Sequence, residues 1–327
     1  MSIPTWAWIA VLGGLLLVLA IDLWIVDRGE AREFSMRQAG FWVTFYVALA
    51  VAFGVTLWLT LGGDKAGEFF AGYITEYSLS VDNLFVFFII MGRFAVPRAY
   101  QHKVLLVGIL LALVMRGIFI ALGAAALERF SWLFYVFGAF LVYTAINIVR
   151  QHIKGEEEDV KENFLLKWVR RAFPTTEGYV GSKVTVKIDG KRMVTPMLIV
   201  MVAIGSTDLL FALDSIPAIF GLTKDPFIVF TANAFALMGL RQLYFLLGGL
   251  LQRLVYISYG LAFILGFIGV KLVLEALHAS HVSWAPEIPI WVSLSVIGAT
   301  MVITTVASLI KARMEARKGE ETHPEQV

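Results

Sequence analysis

Two acidic motifs within apolar stretches are the part of this sequence best suited to chemistry. Each is a pair of acids six residues apart with a small polar residue after the second acid: Glu76, Asp82 and Asn83 in the first, Asp208, Asp214 and Ser215 in the second. A carboxylate at the centre of a membrane helix costs about 2.5–3.5 kcal/mol on insertion scales. Two matching pairs of such acids therefore indicate a site that binds a cation inside a membrane.

Composition places these motifs in a membrane protein. Hydrophobic residues make up 59% of the 327 residues, charged residues 16%, and the mean hydropathy is +0.78. Soluble domains are about 45–50% apolar and about 25% charged. The sequence contains no cysteine, which excludes thiolate metal sites and disulfides. It contains no Rossmann, P-loop or zinc-protease motif, so we expect no enzyme, no cofactor and no nucleic-acid partner.

Nine apolar stretches are long enough to span a bilayer, which predicts an all-α, polytopic transmembrane helix bundle. They lie at 6–26, 41–61, 69–92, 104–126, 130–149, 197–220, 227–249, 254–277 and 288–310. Cytoplasmic loops carry an excess of Lys and Arg. With the N-terminus outside, the inside loops hold 21 basic residues and the outside loops hold three. We therefore expect the N-terminus outside and the C-terminus in the cytoplasm.

The spans divide the chain into four parts. These are transmembrane helices 1–5 in 1–149, a cytoplasmic loop in 150–195, helices 6–9 in 196–310 and a cytoplasmic tail in 311–327. Within the loop, 164–171 predicts a short basic amphipathic helix on the inner membrane surface. Residues 183–194 predict a β-hairpin with a type I′ turn at Asp189-Gly190. A linker with a small hairpin is the simpler interpretation of the loop, and a regulatory role is the alternative.

The acidic motifs belong to a longer internal repeat. Helices 3–5 and helices 6–8 each carry an acidic motif in their first helix and an arginine close to a glycine in their second, as Arg116-Gly117 and Gly239-Leu240-Arg241. Three helices is an odd number, so the two units run oppositely through the bilayer. Such inverted-topology repeats place transport sites near the bilayer midplane, at the interface between the units.

Acids outnumber bases within the spans. The acids are Asp22, Glu76, Asp82, Asp208, Asp214 and Glu275, and the bases are Arg116, Arg241 and Lys271. We interpret the three bases as structural counter-ions, and Asp22 and Glu275 lie near span ends, where water can hydrate them. Acids left over in an apolar medium are either protonated or bind a cation. This surplus favours a metal site, a proton relay or both.

Helix geometry limits how the acids can share one ion. Six residues rise about 9 Å and turn about 240°, so Glu76 and Asp82 cannot chelate together from a regular helix. Either Asp82 and Asp214 meet across the repeat axis, or the helices are locally broken. Pro217 favours a break, because it has no N–H for the carbonyl of Leu213.

The available ligands are oxygens, because no imidazole or thiolate lies near the centres of the spans. Asn83, Ser215 and Asn233 would add oxygen ligands to the carboxylates. Oxygen ligands suit Mg²⁺, Ca²⁺ and Mn²⁺. The spacing does not choose among these three ions and does not exclude Na⁺.

The same residues resemble the signatures of the TerC family, in its Alx-type branch. The matching segments are 76–86, 207–219, 225–227 and 239–247, together with Asp22, Arg116, Asn233 and Lys271. The resemblance covers about 5–310 and implies a bacterial inner-membrane protein that exports Mn²⁺ from the cytoplasm. The family is also linked to tellurium resistance and, in some Alx-type members, to induction at alkaline pH. One departure concerns Gly205, where many members have Glu.

The residues and the resemblance lead to three candidate functions. Export of Mn²⁺ is the leading hypothesis, with proton coupling left open, and its partners are the metal ion and the lipid bilayer. The alternative is a membrane-protein assembly or stress-response factor without transport, because thylakoid relatives are linked to membrane-protein insertion. An intramembrane aspartyl protease is disfavoured, because Val81-Asp82 and Leu213-Asp214 differ from the Tyr-Asp and Gly-x-Gly-Asp motifs. The sequence does not predict the oligomeric state.

Overall fold

Apolar sequence in a bilayer folds into helices because every backbone N–H and C=O must be satisfied within the chain. The computed structural model describes residues 4–27, 36–130, 132–154, 174–188, 191–247, 256–280, 282, 284–286 and 288–322. Eight helical segments among these residues are long and apolar enough to cross a membrane, and the helix at Thr5–Asp27 is a further apolar helix. The polytopic helical architecture expected from composition is confirmed.

The helices follow the predicted spans in order. They are α1 (Thr5–Asp27), α2 (Met36–Leu61), α3 (Gly63–Arg93), α4 (Arg98–Arg129), α5 (Leu133–Lys154), α6 (Pro196–Phe220), α7 (Pro226–Met238), α8 (Leu240–Leu247), α9 (Ile257–Ala279) and α10 (Ile290–Thr322). Several extend past the predicted bounds, because polar residues such as Asp64 and Arg93 continue the helix beyond its apolar part. The two adjoining stretches at 104–126 and 130–149 form separate helices, α4 and α5.

A β-hairpin lies between α5 and α6. Its strands are β1 (Thr185–Ile188) and β2 (Lys191–Val194), which pair antiparallel with Ile188 opposite Lys191. This register leaves the two-residue connection expected from the sequence. The connection itself, Asp189-Gly190, and the predicted amphipathic helix at 164–171 lie outside the described residues.

The helix break falls at a different place from the one that Pro217 predicted. Helix α6 runs without interruption to Phe220, so the break expected beside Asp214 was wrong. Pro217 stands in the last turn, where the bond lost to the carbonyl of Leu213 leaves the rest of the helix intact. The interruption lies instead at Gly239, which separates α7 from α8 within a single predicted span.

The helices of the two predicted repeat units pack against one another in matching pairs. Helix α3 packs on α7, α6 packs on α4, and α5 packs along α9. In the predicted repeat, α3 corresponds to α6, α4 to α7 and α8, and α5 to α9. The contact of α3 with α7 then corresponds to that of α6 with α4, and the contact of α5 with α9 corresponds to itself, as an inverted repeat requires. The repeat itself stays a prediction.

Two glycines allow α5 and α9 to approach closely. A Cβ on Gly138 would lie 2.7 Å from the carbonyl oxygen of Gly269, and a Cβ on Gly269 would lie 2.8 Å from the carbonyl oxygen of Gly138. Small residues at such crossings let helix backbones pack directly in membranes. This contact holds the third helix of one predicted unit against the third helix of the other.

Candidate functional site

Side chains from four helices meet at one point in the interior of the bundle. Glu76 comes from α3, Arg116 from α4, Asp208 and Ser215 from α6, and Asn233 from α7. Each stands away from the ends of its helix, and Glu76 is about 20 Å along the axis of α3 from its first residue. The meeting point is therefore deep in the membrane part of the molecule.

Arg116 is the centre of this cluster. Its Nε and Nη2 donate to the two carboxylate oxygens of Asp208, both at 3.0 Å. Its Nη1 donates to Glu76 Oε1, to Asn233 Oδ1 at 3.1 Å and to Ser215 Oγ at 3.3 Å. The fork geometry of the pair with Asp208 is the strong form of a charge-assisted hydrogen bond. We call these five residues the Arg116 cluster.

The Arg116 cluster is sealed from solvent and carries surplus negative charge. Glu76 is 0% exposed, and Asp208 and Arg116 are each 1% exposed. Two carboxylates share one guanidinium, so one negative charge is left over if both acids are ionised. Ser80 Oγ donates to Glu76 Oε1 at 3.5 Å, a long contact that adds little.

Two polar atoms of the cluster lack hydrogen-bond partners within the described part of the chain. These are Glu76 Oε2 and Asn233 Nδ2, both buried. Leaving a buried acceptor or donor unsatisfied costs about 1–3 kcal/mol. Such atoms are uncommon in native interiors, and they often mark a place where a ligand or ion completes the bonding.

Asp214 stands apart from the Arg116 cluster. Its Oδ1 accepts a hydrogen bond from Thr144 of α5 at 3.3 Å, and no basic side chain in the described ranges pairs with it. It is half-buried, and its neighbour Leu213 is 44% exposed. Asp214 therefore lies on a side of α6 that is closer to lipid than the side carrying Asp208.

Three further predicted residues, Asp22, Asp82 and Asn83, lie in helices α1 and α3. The side chains of Asp22 and Asp82 lie outside the described part, although the backbone at both positions is helical. Asn83 is buried in α3. The predicted meeting of Asp82 with Asp214 across the repeat axis therefore stays a prediction.

The other two predicted counter-ions are buried. Arg241 is 3% exposed in α8, directly after the interruption at Gly239, and Lys271 is 6% exposed in α9. With the side-chain amide of Gln242 oriented to satisfy both of its atoms, its oxygen accepts from Arg241 Nη2 at 2.8 Å.

A separate set of ion pairs lies where α3 and α7 begin. Lys65 pairs with Glu68 at 2.8 Å and with Asp225 at 3.6 Å, and the hydroxyl of Thr223 also donates to Glu68. Asp225 caps α7 by accepting from the N–H of Phe227 at 3.1 Å, as an acid before a first-turn proline commonly does. The sequence pointed to Asp225 only through the family resemblance and the role of Glu68 was not predicted, although the spacing of Lys65 and Glu68 on one helix face indicates that they pair.

Glu275 belongs to the surface, as its position near a span end predicted. It pairs with Lys224 at 2.7 Å, and the two side chains are 30% and 56% exposed. This acid is balanced by a base outside the Arg116 cluster. No group of three or more His, Asp or Glu side chains in the described ranges is arranged to hold a metal ion.

Gly205 is the position at which the sequence departs from the family resemblance, which implies Glu there. A Cβ added there would lie 2.4 Å from Leu111 Cδ2 on α4. The position is buried one turn before Asp208, on the face of α6 that packs against α4. A carboxylate there would enter the same helix interface that holds Arg116.

These features define a polytopic integral membrane protein with a charged centre in its interior. The chain belongs to the integral membrane protein TerC family, whose model matches residues 61–316. An uncharacterized membrane protein of Mycobacterium tuberculosis is 45% identical, covering 93% of this chain and 80% of its own length. An uncharacterized membrane protein of Myxococcus xanthus is 40% identical, covering 94% and 92%.

The Alx-type branch expected from the sequence is also confirmed. The putative membrane-bound redox modulator Alx of Escherichia coli is 36% identical, covering 93% of this chain and 94% of its own length. The corresponding protein of Salmonella typhi is 38% identical over 89% of each chain. No solved structure matches this chain.

Proposed function

We propose that this protein exports a divalent cation, Mn²⁺ in the first instance, from the bacterial cytoplasm across the inner membrane. It is then a transporter and not an enzyme. The observation that supports this most directly is the Arg116 cluster, in which two fully buried carboxylates share one guanidinium. Intramembrane ionisable residues that converge at the centre of a bundle generally mark an ion or proton pathway.

The donor atoms of the cluster favour a hard cation. Carboxylate oxygens from Glu76 and Asp208, the hydroxyl of Ser215 and the amide oxygen of Asn233 are all oxygen ligands. Oxygen ligands suit Mn²⁺, Mg²⁺ and Ca²⁺. The TerC resemblance selects Mn²⁺ among them, and proton coupling through an acid such as Asp214 is an extension of the proposal.

The name of the Escherichia coli relative points to redox modulation, and this chain limits how such a role could operate. Exchange between thiols and disulfides needs a cysteine thiolate, and these 327 residues contain no cysteine. An effect on redox state would then be indirect and would follow from the concentration of a metal ion. The proposal thus accommodates the relative's name without assigning redox chemistry to this chain.

Manganese content of loaded cells tests the proposal. Cells expressing the parent protein should retain less manganese than cells expressing Asp208→Asn or Asp82→Asn, because the amides remove ligand charge at nearly constant shape. Equal content in all strains, with equal amounts of protein in the membrane, would reject it. An assembly factor predicts the opposite pattern, in which the amide variants retain function and deletions within 150–195 abolish it.

A further inference from the structure

We propose that the guanidinium of Arg116 is a tethered cation that occupies the substrate site while no metal is bound. A divalent ion would have to displace it in order to bind. The inference rests on the transport function proposed above and adds a step to it. It changes the role of Arg116 from a permanent counter-ion to a competitor of the substrate.

The contacts of Arg116 carry this inference. Five oxygen atoms from three helices point at its guanidinium: Glu76 Oε1, Asp208 Oδ1 and Oδ2, Ser215 Oγ and Asn233 Oδ1. Four of the seven residues that the sequence indicated as metal ligands are therefore bonded to the same side chain. Oxygen atoms that converge on one positive group are also the kind of ligand that a hard divalent cation binds.

Charge favours departure of the arginine when a metal ion enters the cluster. With Arg116 in place, Glu76 and Asp208 leave one negative charge. A divalent ion alone would neutralise both carboxylates, whereas the ion and Arg116 together would leave one positive charge in a buried place. Buried net charge is strongly unfavourable, so binding of the ion favours departure of the guanidinium.

The fit of Arg116 to its partners is incomplete, which makes displacement feasible. Glu76 Oε2 and Asn233 Nδ2 remain without hydrogen bonds inside the described part, although both are buried. A metal ion can bind both oxygens of a carboxylate. The exchange would therefore satisfy Glu76 Oε2, which the arginine leaves unsatisfied.

Asp214 is the acid best placed to receive the displaced guanidinium. It is adjacent to Ser215, which already contacts Arg116 Nη1, and it has no basic partner among the described side chains. A move of Arg116 from Asp208 toward Asp214 would keep the guanidinium paired. A transporter that fills its empty site in this way can return without its substrate, since the guanidinium balances one of the two carboxylate charges.

Two measurements on the full chain separate this idea from a structural role. The first is Mn²⁺ binding to purified protein in detergent, by titration calorimetry. The second compares net Mn²⁺ uptake into inverted vesicles with exchange of labelled for unlabelled Mn²⁺ at equal concentrations on both sides. The variants are Arg116→Gln, which removes the cation, and Arg116→Lys, which keeps the charge but loses the fork. Lys224→Gln is the matched control, because it removes a base from an exposed ion pair.

The tethered cation predicts opposite changes in binding and in net transport. Arg116→Lys should bind Mn²⁺ about tenfold more tightly than the parent, because a weaker competitor leaves the site open more often. Arg116→Gln should bind more tightly still. Both should retain exchange while net uptake falls by about tenfold or more, because the empty transporter no longer returns readily. Lys224→Gln should match the parent in both measurements.

Unchanged Mn²⁺ affinity in Arg116→Lys, with exchange and net uptake reduced equally, would overturn the tethered cation and leave export intact. A parent protein that neither binds nor exchanges Mn²⁺ would overturn the proposed function together with this step. If Arg116→Gln does not fold, the comparison of Arg116→Lys with Lys224→Gln still decides between the two roles.

Discussion

At the scale of single residues, charge balance in the Arg116 cluster should determine stability. The parent has two carboxylates and one guanidinium, each almost completely buried. Removing one partner of a buried ion pair costs about 3–5 kcal/mol because it leaves uncompensated charge. The effect should therefore depend on which of the three groups is removed.

Arg116→Gln should be the most destabilising substitution in the cluster in the absence of metal. It should lower the free energy of unfolding by about 3–5 kcal/mol, because Glu76 and Asp208 lose their shared base. Glu76→Gln should cost less, because Arg116 and Asp208 still balance. Thermal unfolding in detergent, read by circular dichroism, checks the order. Equal loss in the two variants would show that charge balance does not govern this interior.

Gly205 offers a second test at the residue scale. A Cβ at this position would meet Leu111 Cδ2 at 2.4 Å, and Leu111 is 42% exposed on the outer side of the bundle. The end of that side chain can rotate outward, so Gly205→Ala should cost about 1 kcal/mol, at the low end of overpacking penalties. The double variant with Leu111→Ala should recover part of the loss in the same unfolding assay. A cost that persists in the double variant would mean that the α6 backbone has to move.

At the scale of elements, the crossing of α5 and α9 depends on glycine because backbone atoms stand opposite each other. A Cβ at Gly138 would lie 2.7 Å from the carbonyl oxygen of Gly269 and 2.7 Å from Val273 Cγ2. A helix backbone cannot rotate aside as a side chain can. The two helices would therefore have to separate.

Gly138→Ala should cost about 1–3 kcal/mol or more in free energy of unfolding. Gly298→Ala in α10 is the matched control, because a Cβ there would meet nothing within 4 Å. That change should be neutral or stabilising by up to about 1 kcal/mol, as alanine favours helix over glycine. Unfolding temperatures of the two variants check this. Similar values would show that the crossing adjusts without cost.

The membrane spans could be predicted from the sequence, whereas the helix interruption and the contacts between helices could not. The spans were predictable because a run of about twenty consecutive apolar residues is the length that a helix needs to cross the hydrocarbon core of a bilayer. A break was expected in the sixth span at Pro217, but the structure interrupts the seventh span instead. Pro217 is tolerated because it lies near the end of α6, whereas Gly239 ends α7. Pairing of Asp214 with Thr144 was not foreseen, because it depends on the packing of α5 against α6. The shared use of Arg116 by Glu76 and Asp208 likewise needed three-dimensional contacts.

At the scale of the whole molecule, the distribution of Lys and Arg predicts how the protein is oriented. The start of α4 lies beside the segment before the hairpin, because Lys103 Nζ donates to Ser182 Oγ at 3.2 Å. The other end of α3 lies beside the start of α7, because Lys65 pairs with Asp225 at 3.6 Å. Tyr179, near the hairpin, donates a hydrogen bond from its hydroxyl to the carbonyl of Phe94 at 2.8 Å. Burial raises the pKa of this tyrosine above its usual value, so the hydroxyl keeps its proton.

Labelling of single cysteines tests this orientation without removal of native ones, because the sequence contains none. Asp64→Cys and Glu177→Cys are both at exposed positions near opposite ends. A membrane-impermeant maleimide should label the first in intact spheroplasts and the second only in inverted vesicles. The reverse pattern would place the N-terminus in the cytoplasm and reverse the proposed direction of transport.

Uptake of Mn²⁺ into inverted vesicles tests the central claim most directly. Vesicles carrying the parent protein or Lys224→Gln should accumulate Mn²⁺ with time, and those carrying Glu76→Gln or Asp208→Asn should lose most of that uptake. Repeating the assay with Mg²⁺ and Ca²⁺, and with a pH gradient imposed or collapsed, shows the ion and the coupling. If parent vesicles take up no more Mn²⁺ than empty ones, or the amide variants transport as fast as the parent, the account of a buried carboxylate site is contradicted.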